Sequence, residues 1–264
     1  METEIDLSKY VLFVRTVQAS AIRTLSEALK EVLTDVNINF DTTGIKIMSM
    51  DGSKVTLVHL RLDSARFENF HCIEPTTIGV NMISLFKLLK TIGNIDIVTF
   101  YIEKDDRHKL GIRIENKEKS IISSSKLKLL DLDEDILSIP DVEFDSVITM
   151  PSVDFQKYCR DLAIISDTVT ISSKGSVFTM SASGDFAEQE IIIGETTNGL
   201  VISKKEIEVS CRFPLKYLNL FCKSSGLCSN IEIYLKARYP LILIFNCASL
   251  GSLSYGLAPK TESD

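Results

Sequence analysis

The sequence predicts an α+β protein made of two copies of one domain, each with helices packed on antiparallel sheets. Three observations lead there. Amphipathic helical segments recur four times among short β-rich runs. The segment Met82-Ile-Ser-Leu-Phe-Lys-Leu-Leu-Lys90 aligns with Phe213-Pro-Leu-Lys-Tyr-Leu-Asn-Leu-Phe221 at an offset of about 131 residues, close to half the chain, as a duplication requires. The length of 264 residues exceeds one ordinary core and suits two domains of about 100–150 residues each.

In the first copy, a helix over 20–33 sets Ile22, Leu25, Leu29, Val32 and Leu33 at the three-four spacing of a helix resting on a sheet. Strands are predicted at 36–40, 44–50 and 55–62, with Asp51-Gly52 as a tight hairpin between the last two. A strand at 66–72, a helix at 82–92 and strands at 95–103 and 109–115 follow. The second copy repeats the order. A strand at 146–150 leads into Pro151-Ser152, where Ser152 is expected to cap a helix that runs to 165. Strands at 168–172, 176–182, 190–193 and 207–213 precede a helix at 215–223, and strands at 230–235, 241–246 and 252–257 close the chain. The predicted division is an extension over 1–9, a first domain over 10–128, a connector over 129–145, a second domain over 146–260 and a tail over 261–264. The connector alternates acids with leucine and isoleucine and reaches Pro140, so it reads as extended chain.

Hydrophobic content of 45% with 25% charged residues is the profile of a folded soluble protein. The longest strongly apolar run, Tyr239-Pro-Leu-Ile-Leu-Ile-Phe245, falls far short of the roughly 20 residues that span a bilayer. The acidic start Met1-Glu-Thr-Glu-Ile-Asp6 fits neither a secretory nor a mitochondrial leader. Cys72, Cys159, Cys211, Cys222, Cys228 and Cys247 form no Cys-x-x-Cys pair and read as buried, reduced thiols. His59, His71 and His108 lack metal-ligand spacing. No nucleophile elbow, phosphate-binding loop or dinucleotide fingerprint occurs. Asp51 is better explained as a turn residue than as a catalytic one. The acids of 129–135 lack the glycine and register of a calcium loop. No enzyme, metal or cofactor is expected.

Charge supplies the functional clue. The chain carries a net charge of −7, yet each helical segment bears two cations spaced by three or seven residues, which places the pair on one side of a helix. They are Arg23 and Lys30, Lys87 and Lys90, Lys157 and Arg160, and Lys216 and Lys223. Basic stripes on an acidic protein suit loose, sequence-independent contact with phosphates. The competing reading is a solvated helix face; Glu27, about 40° around the helix from Arg23, is what that reading needs.

Local runs then add up to one family. They are Ser49-Met-Asp-Gly-Ser53, Leu129-Leu-Asp-Leu-Asp133 with Ile139-Pro140, Met150-Pro-Ser152, Cys159-Arg-Asp-Leu162, Ser181-Ala-Ser-Gly-Asp185, Lys216-Tyr-Leu-Asn219 and Leu257-Ala-Pro-Lys260. In this order and spacing the sequence resembles proliferating cell nuclear antigen, the eukaryotic-type DNA sliding clamp family, over about residues 13–260. The resemblance implies a homotrimeric ring of two-domain subunits, helices inside and sheets outside. Such a ring encircles duplex DNA, tethers DNA polymerase and repair proteins, is opened by an ATP-driven clamp loader and has no catalysis of its own. It implies work in the nucleus, or in a viral replication compartment if a virus encodes the chain. The inner-surface cations of the family fall on the eight residues named above. Its pocket for partner peptides falls on Met50, Val55, Leu137, Ile139, Pro140, Pro240, Ala258 and Pro259, with Gly256 where a tyrosine is common. Its subunit edges fall on 120–126 and 185–193, with Ser120, Ile122, Ser125, Glu188, Glu190 and Ile192 as contacts. Ser125 replaces a frequent aromatic residue, Thr24 a frequent lysine, and Gly175, beside Lys174, the modified lysine. Two alternatives stay open: one subunit of a heterotrimeric, checkpoint-type clamp, and a monomeric processivity factor that grips DNA through one basic face.

Overall fold

The computed structural model describes residues 6–133, 137–205 and 208–260. The chain divides into two compact units that are not continuous in sequence. The first comprises Met1–Ser49, His59–Ile136 and Cys247–Ser252; the second comprises Met50–Val58, Leu137–Asn246 and Leu253–Asp264. Two short stretches therefore belong to the unit opposite to the one that simple cuts at 128 and 146 would assign.

The first unit opens with β1 (Tyr10–Thr16), α1 (Ala19–Val32), β2 (Asp35–Asp41), β3 (Gly44–Met50), β4 (Thr56–Asp63), β5 (Asn69–Cys72) and β6 (Thr76–Asn81). It continues with α2 (Met82–Leu89), β7 (Ile97–Glu103), β8 (Asp106–Asn116) and β9 (Ile121–Lys128). One antiparallel sheet has the order β5-β1-β7-β8-β9, and β4-β3-β2-β6 run side by side in another. Val11, Leu12, Phe13 and Val14 of β1 are all buried, the continuous apolar run of a strand covered on both faces. That run shows no alternation, so a search for period-two strands passes over β1. The sequence reading also passes over β6, a short β-branched stretch interrupted by Gly79 and flanked by Pro75 and Asn81. Pairing with β2, from Asp35 opposite Asn81 to Phe40 opposite Thr76, holds it in place. α1 turns Ile22, Leu25, Ala28 and Leu29 inward. Asn81 caps α2 by accepting from the N–H of Ser84 at 3.0 Å. α2 stops at Leu89, earlier than predicted, and buried Ile92 packs from the turn beyond it.

In the second unit come β10 (Ser146–Pro151), α3 (Ser152–Leu162), β11 (Thr168–Lys174), β12 (Val177–Ser183), β13 (Glu188–Gly194) and β14 (Val201–Lys205). Then follow β15 (Val209–Pro214), α4 (Leu215–Phe221), β16 (Asn230–Leu235), β17 (Leu241–Cys247) and β18 (Gly251–Leu257). One antiparallel sheet runs β13-β12-β11-β15, and β14-β10-β16-β17-β18 lie side by side in another. β14 was not predicted, and Ile207, expected to start a strand, lies outside the described residues. Phe155, Phe178, Phe213, Phe221, Phe245 and Tyr255 fill the core. The rings of Phe221 and Tyr255 stack at 4.3 Å, and the Tyr255 hydroxyl shares a hydrogen bond of 2.9 Å with Ser224. Truncating such a residue to alanine would cost about 3–5 kcal/mol.

Three local expectations need correction. Ser152 does not cap α3; it is the first helical residue, and its hydroxyl donates to the Cys228 carbonyl at 2.6 Å, tying the helix to the turn before β16. The Asp51-Gly52 hairpin is a wider loop, closed by the N–H of Asp51 donating to the Thr56 carbonyl at 2.9 Å. Only Cys159, Cys222 and Cys247 are buried; Cys72, Cys211 and Cys228 are half-buried, and all six are free thiols.

Candidate nucleic-acid interface

Each unit presents a pair of helices, and the eight predicted cations sit on or just beyond them. In the first unit α1 and α2 are tied together by the cations themselves. The Arg23 guanidinium donates to the Ile92 carbonyl, not to Glu27. The Lys30 ammonium lies 4.9 Å from the centre of the Phe86 ring and pairs with Glu31. Its side chain is only 18% exposed, which leaves it in the groove between two helices. Lys87 and Lys90 are exposed, Lys90 as the residue that ends α2.

In the second unit, two amides tie α3 to α4. Gln156 donates to the Cys222 carbonyl at 3.0 Å, and Asn219 reaches the Cys159 carbonyl at 3.5 Å. Neutral amides do here what Arg23 and Lys30 do in the first unit, and this frees the cations. Lys157, Arg160, Lys216 and Lys223 are all exposed. Lys223 lies past α4, in a 3₁₀ turn over Cys222–Leu227, so its spacing from Lys216 is not that of one continuous helix. Among the described residues, no carboxylate pairs with Lys87, Lys90, Lys157, Arg160, Lys216 or Lys223. Arg23 and Lys30 thus do structural work, and six cations are left to face solvent.

The predicted peptide pocket falls wholly within the second unit, as all eight of its residues do. Ile139 is 45% exposed, Pro140 is exposed, and Leu137, Val55, Pro240, Ala258 and Pro259 are half-buried. The N–H of Ala258 donates to the Val55 carbonyl at 3.1 Å, which binds the tail to the loop after Asp51. Asp51 organises that loop. Its carboxylate accepts from the N–H groups of Ser53 at 3.2 Å, Val55 at 2.8 Å and Thr56 at 2.6 Å, and from the Ser53 hydroxyl. The Ser53 oxygen in turn lies 2.7 Å from the hydroxyl of Tyr217 on α4. Gly256 is buried, and a Cβ there would sit 3.3 Å from Ile242 Cδ1 and 3.6 Å from Leu57 Cβ. Ile242 and Leu57 therefore close in where a larger residue would stand. Two cavities, of about 310 Å³ and 540 Å³, lie elsewhere, in the first unit.

The predicted subunit edges are both terminal strands: β9 ends one sheet and β13 ends another. Ile121 and Ile122 on β9 are 55% and 59% exposed, and Ile192 on β13 is 65% exposed. Bare apolar edges of this kind ask for a partner strand. Ser120 falls in the preceding turn with φ 52°, so it is not a strand residue. Phe186, 73% exposed just before β13, lies within the predicted edge over 185–193 but is not among the contacts named from the sequence. Its signal was a lone aromatic between Asp185 and Ala187 in a turn. Gly184 sets that turn: a Cβ there would meet the Ile165 carbonyl oxygen at 1.9 Å.

Residues 11–136 match the family described as proliferating cell nuclear antigen, N-terminal domain, and residues 138–260 match its C-terminal domain. The chain belongs to the proliferating cell nuclear antigen family. It is also 41% identical over 254 residues to the protein described as "Probable DNA polymerase sliding clamp 1" of Paramecium bursaria Chlorella virus 1, an alignment covering 94% of this chain and 97% of that one. Its function is that of a DNA sliding clamp, and the family acts as a non-enzymatic processivity factor. Among the described residues no helix is long and apolar enough to cross a membrane.

Proposed function

We propose that three copies of this chain join head to tail into a closed ring around duplex DNA and carry DNA polymerase and other peptide-bearing partners along it. The six exposed cations on an acidic protein, with no carboxylate partner among the described residues, carry this reading. Phosphate contacts through such groups are independent of sequence and sensitive to salt, which permits movement along the duplex. The rest of the chain is negative and discourages tight wrapping. The groove around Ile139, Pro140 and Pro240 receives aromatic anchors of partner peptides, including those of polymerase and of an ATP-driven loader, and buried anchors of that kind dominate affinity. No step of bond making or breaking belongs to the clamp. Replicating DNA, in the nucleus or in a viral replication compartment, is where such a ring works, and the viral origin of the relative supports the second place.

Sedimentation of the purified chain at micromolar concentration tests the assembly. A species of three times the chain mass is expected. A chain that stays single at every concentration overturns the ring and favours a monomeric processivity factor; one that assembles only with unlike partners favours a mixed clamp.

A further inference from the structure

Resting on the peptide-groove reading, we infer that the groove selects partner peptides whose aromatic anchors are flanked by acidic residues, through a cationic rim made by Lys54 and Arg238. Three observations carry this.

The first is placement. The second unit brings several turns to one end of the sheet that holds β10, β16, β17 and β18. β16 runs to Leu235 and β17 starts at Leu241, antiparallel to it, with Tyr234 opposite Ile242. β10 starts at the same end, with Ser146 opposite Leu235. β18 ends at Leu257, and the bond from the Ala258 N–H to the Val55 carbonyl ties its tail to the loop over 51–55. Lys54, next to Val55, and Arg238, two residues before Pro240, therefore stand at the end that carries the predicted groove.

The second is charge. The acids of this end are largely matched already. Asp51 is occupied by the N–H groups of its own loop. Glu143 pairs with Lys204 at 2.8 Å. Asp145 accepts from the Ala237 N–H at 3.1 Å, with Lys236 4.0 Å away. Lys54 and Arg238 are exposed, and among the described residues no carboxylate pairs with either of them, nor with Lys260 in the tail. Against these three stands Asp141, exposed and likewise without an ionic partner among the described residues. The uncompensated charge of the rim is thus positive. The net charge of −7 does not reverse this, because at physiological salt fields fade over about 8 Å and a bound peptide senses the nearest side chains.

The third is backbone. Lys54 and Arg238 each hold a left-handed conformation, with φ 57°. Glycine would hold either turn more easily. The turns are closed by the Lys54 N–H donating to the Asp51 carbonyl at 2.9 Å and by the Tyr239 N–H donating to the Lys236 carbonyl at 3.2 Å. Strain of this kind gathers at ligand clamps, where the side chain it carries is put to use. Here both strained positions carry a cation, and both lie beside the groove.

Fluorescence anisotropy tests the selection. Three labelled peptides share two aromatic anchors and differ only in flanks of glutamate, glutamine or lysine. Exposed pairs contribute little singly, so a moderate spread is expected. At about 0.15 M salt the wild type should bind the glutamate peptide at least about fivefold tighter than the lysine peptide, with the glutamine peptide between them. At about 1 M salt, where the screening length drops to about 3 Å, the spread should close to within about twofold. Lys54→Gly with Arg238→Gly removes both charges and relaxes both turns, so the fold is kept. This variant should lose at least about half of the spread and hold the glutamine peptide within about twofold of wild type. Lys54→Glu with Arg238→Glu is expected to reverse the order. Wild type that binds the lysine peptide as tightly as the glutamate peptide overturns the selection, as does a glycine variant with an undiminished spread. In both cases a glutamine peptide that binds wild type and is weakened by Ile139→Ser leaves the groove itself standing. Binding of no peptide, or binding that Ile139→Ser does not alter, overturns the groove and its rim together.

Discussion

Asp51 shows how one side chain can hold a functional loop. Burial pushes its pKa up, but the Ser53 hydroxyl and the N–H groups of Thr56, Ser53 and Val55 favour the charged form more, so the pKa ends below its ordinary 3.8. A lowered carboxylate contributes stability that is complete above the unfolded value and is lost as pH falls through the folded one. Asp51→Ala strands these donors and is expected to cost about 1–3 kcal/mol in urea unfolding at neutral pH. The deficit against wild type should shrink below about pH 4, as the wild-type carboxylate takes up a proton and loses the charge that holds the loop. A second prediction at this scale concerns Lys30. Its ammonium is held by Phe86 and Glu31, so Lys30→Ala should lower thermal stability by about 0.5–1 kcal/mol and barely alter the salt dependence of DNA binding. The role of Asp51 as a turn residue was legible in the dipeptide Asp51-Gly52. The reach of its carboxylate to the N–H of Thr56 was not, because it depends on a loop wider than two residues. The reach of Arg23 to the Ile92 carbonyl was equally hidden, since spacing shows which face a cation shares but not which neighbour it meets.

Helices and strands were read with unequal success, for physical reasons. α1 and α3 announce themselves through three-four spacing of apolar residues, whereas β1 hides because both of its faces are covered and β6 because Gly79, Pro75 and Asn81 break up a short β-branched run. Helix ends were overrun, since apolar spacing continues into packed turns such as the one holding Ile92. The cations at the exposed end of α2 provide the element-scale prediction. Lys87→Ala with Lys90→Ala should reduce the slope of log affinity for duplex DNA against log salt by up to about 2, with the secondary structure unchanged by circular dichroism. An unaltered slope would remove α2 from the contact surface. The connector provides another. Ile139 is 45% exposed on a strap without helix or strand, so Ile139→Ser should weaken a peptide with two aromatic anchors at least about tenfold and leave the unfolding midpoint within about 1 °C.

For the whole molecule, the duplication was visible in the aligned segments 82–90 and 213–221, and the family in short runs spread from Ser49 to Lys260. The exchange of Met50–Val58 and Cys247–Ser252 between the compact units was not visible, because strand order in a sheet is not written in strand order along the chain. Charge operates at this scale too. With −7 on each copy, the hold on DNA depends on a few local cations, so DNA affinity is expected to fall steeply as salt rises, which a titration of affinity against salt checks. The dissimilar strands β9 and β13 have a final consequence. In the proposed ring, with copies joined head to tail through these two edges, no copy can be inserted upside down, so every copy would show the same side to the same end of the threaded duplex. Such an assembly would have a front and a back, and a motor protein seated on one side would travel with a built-in sense of direction.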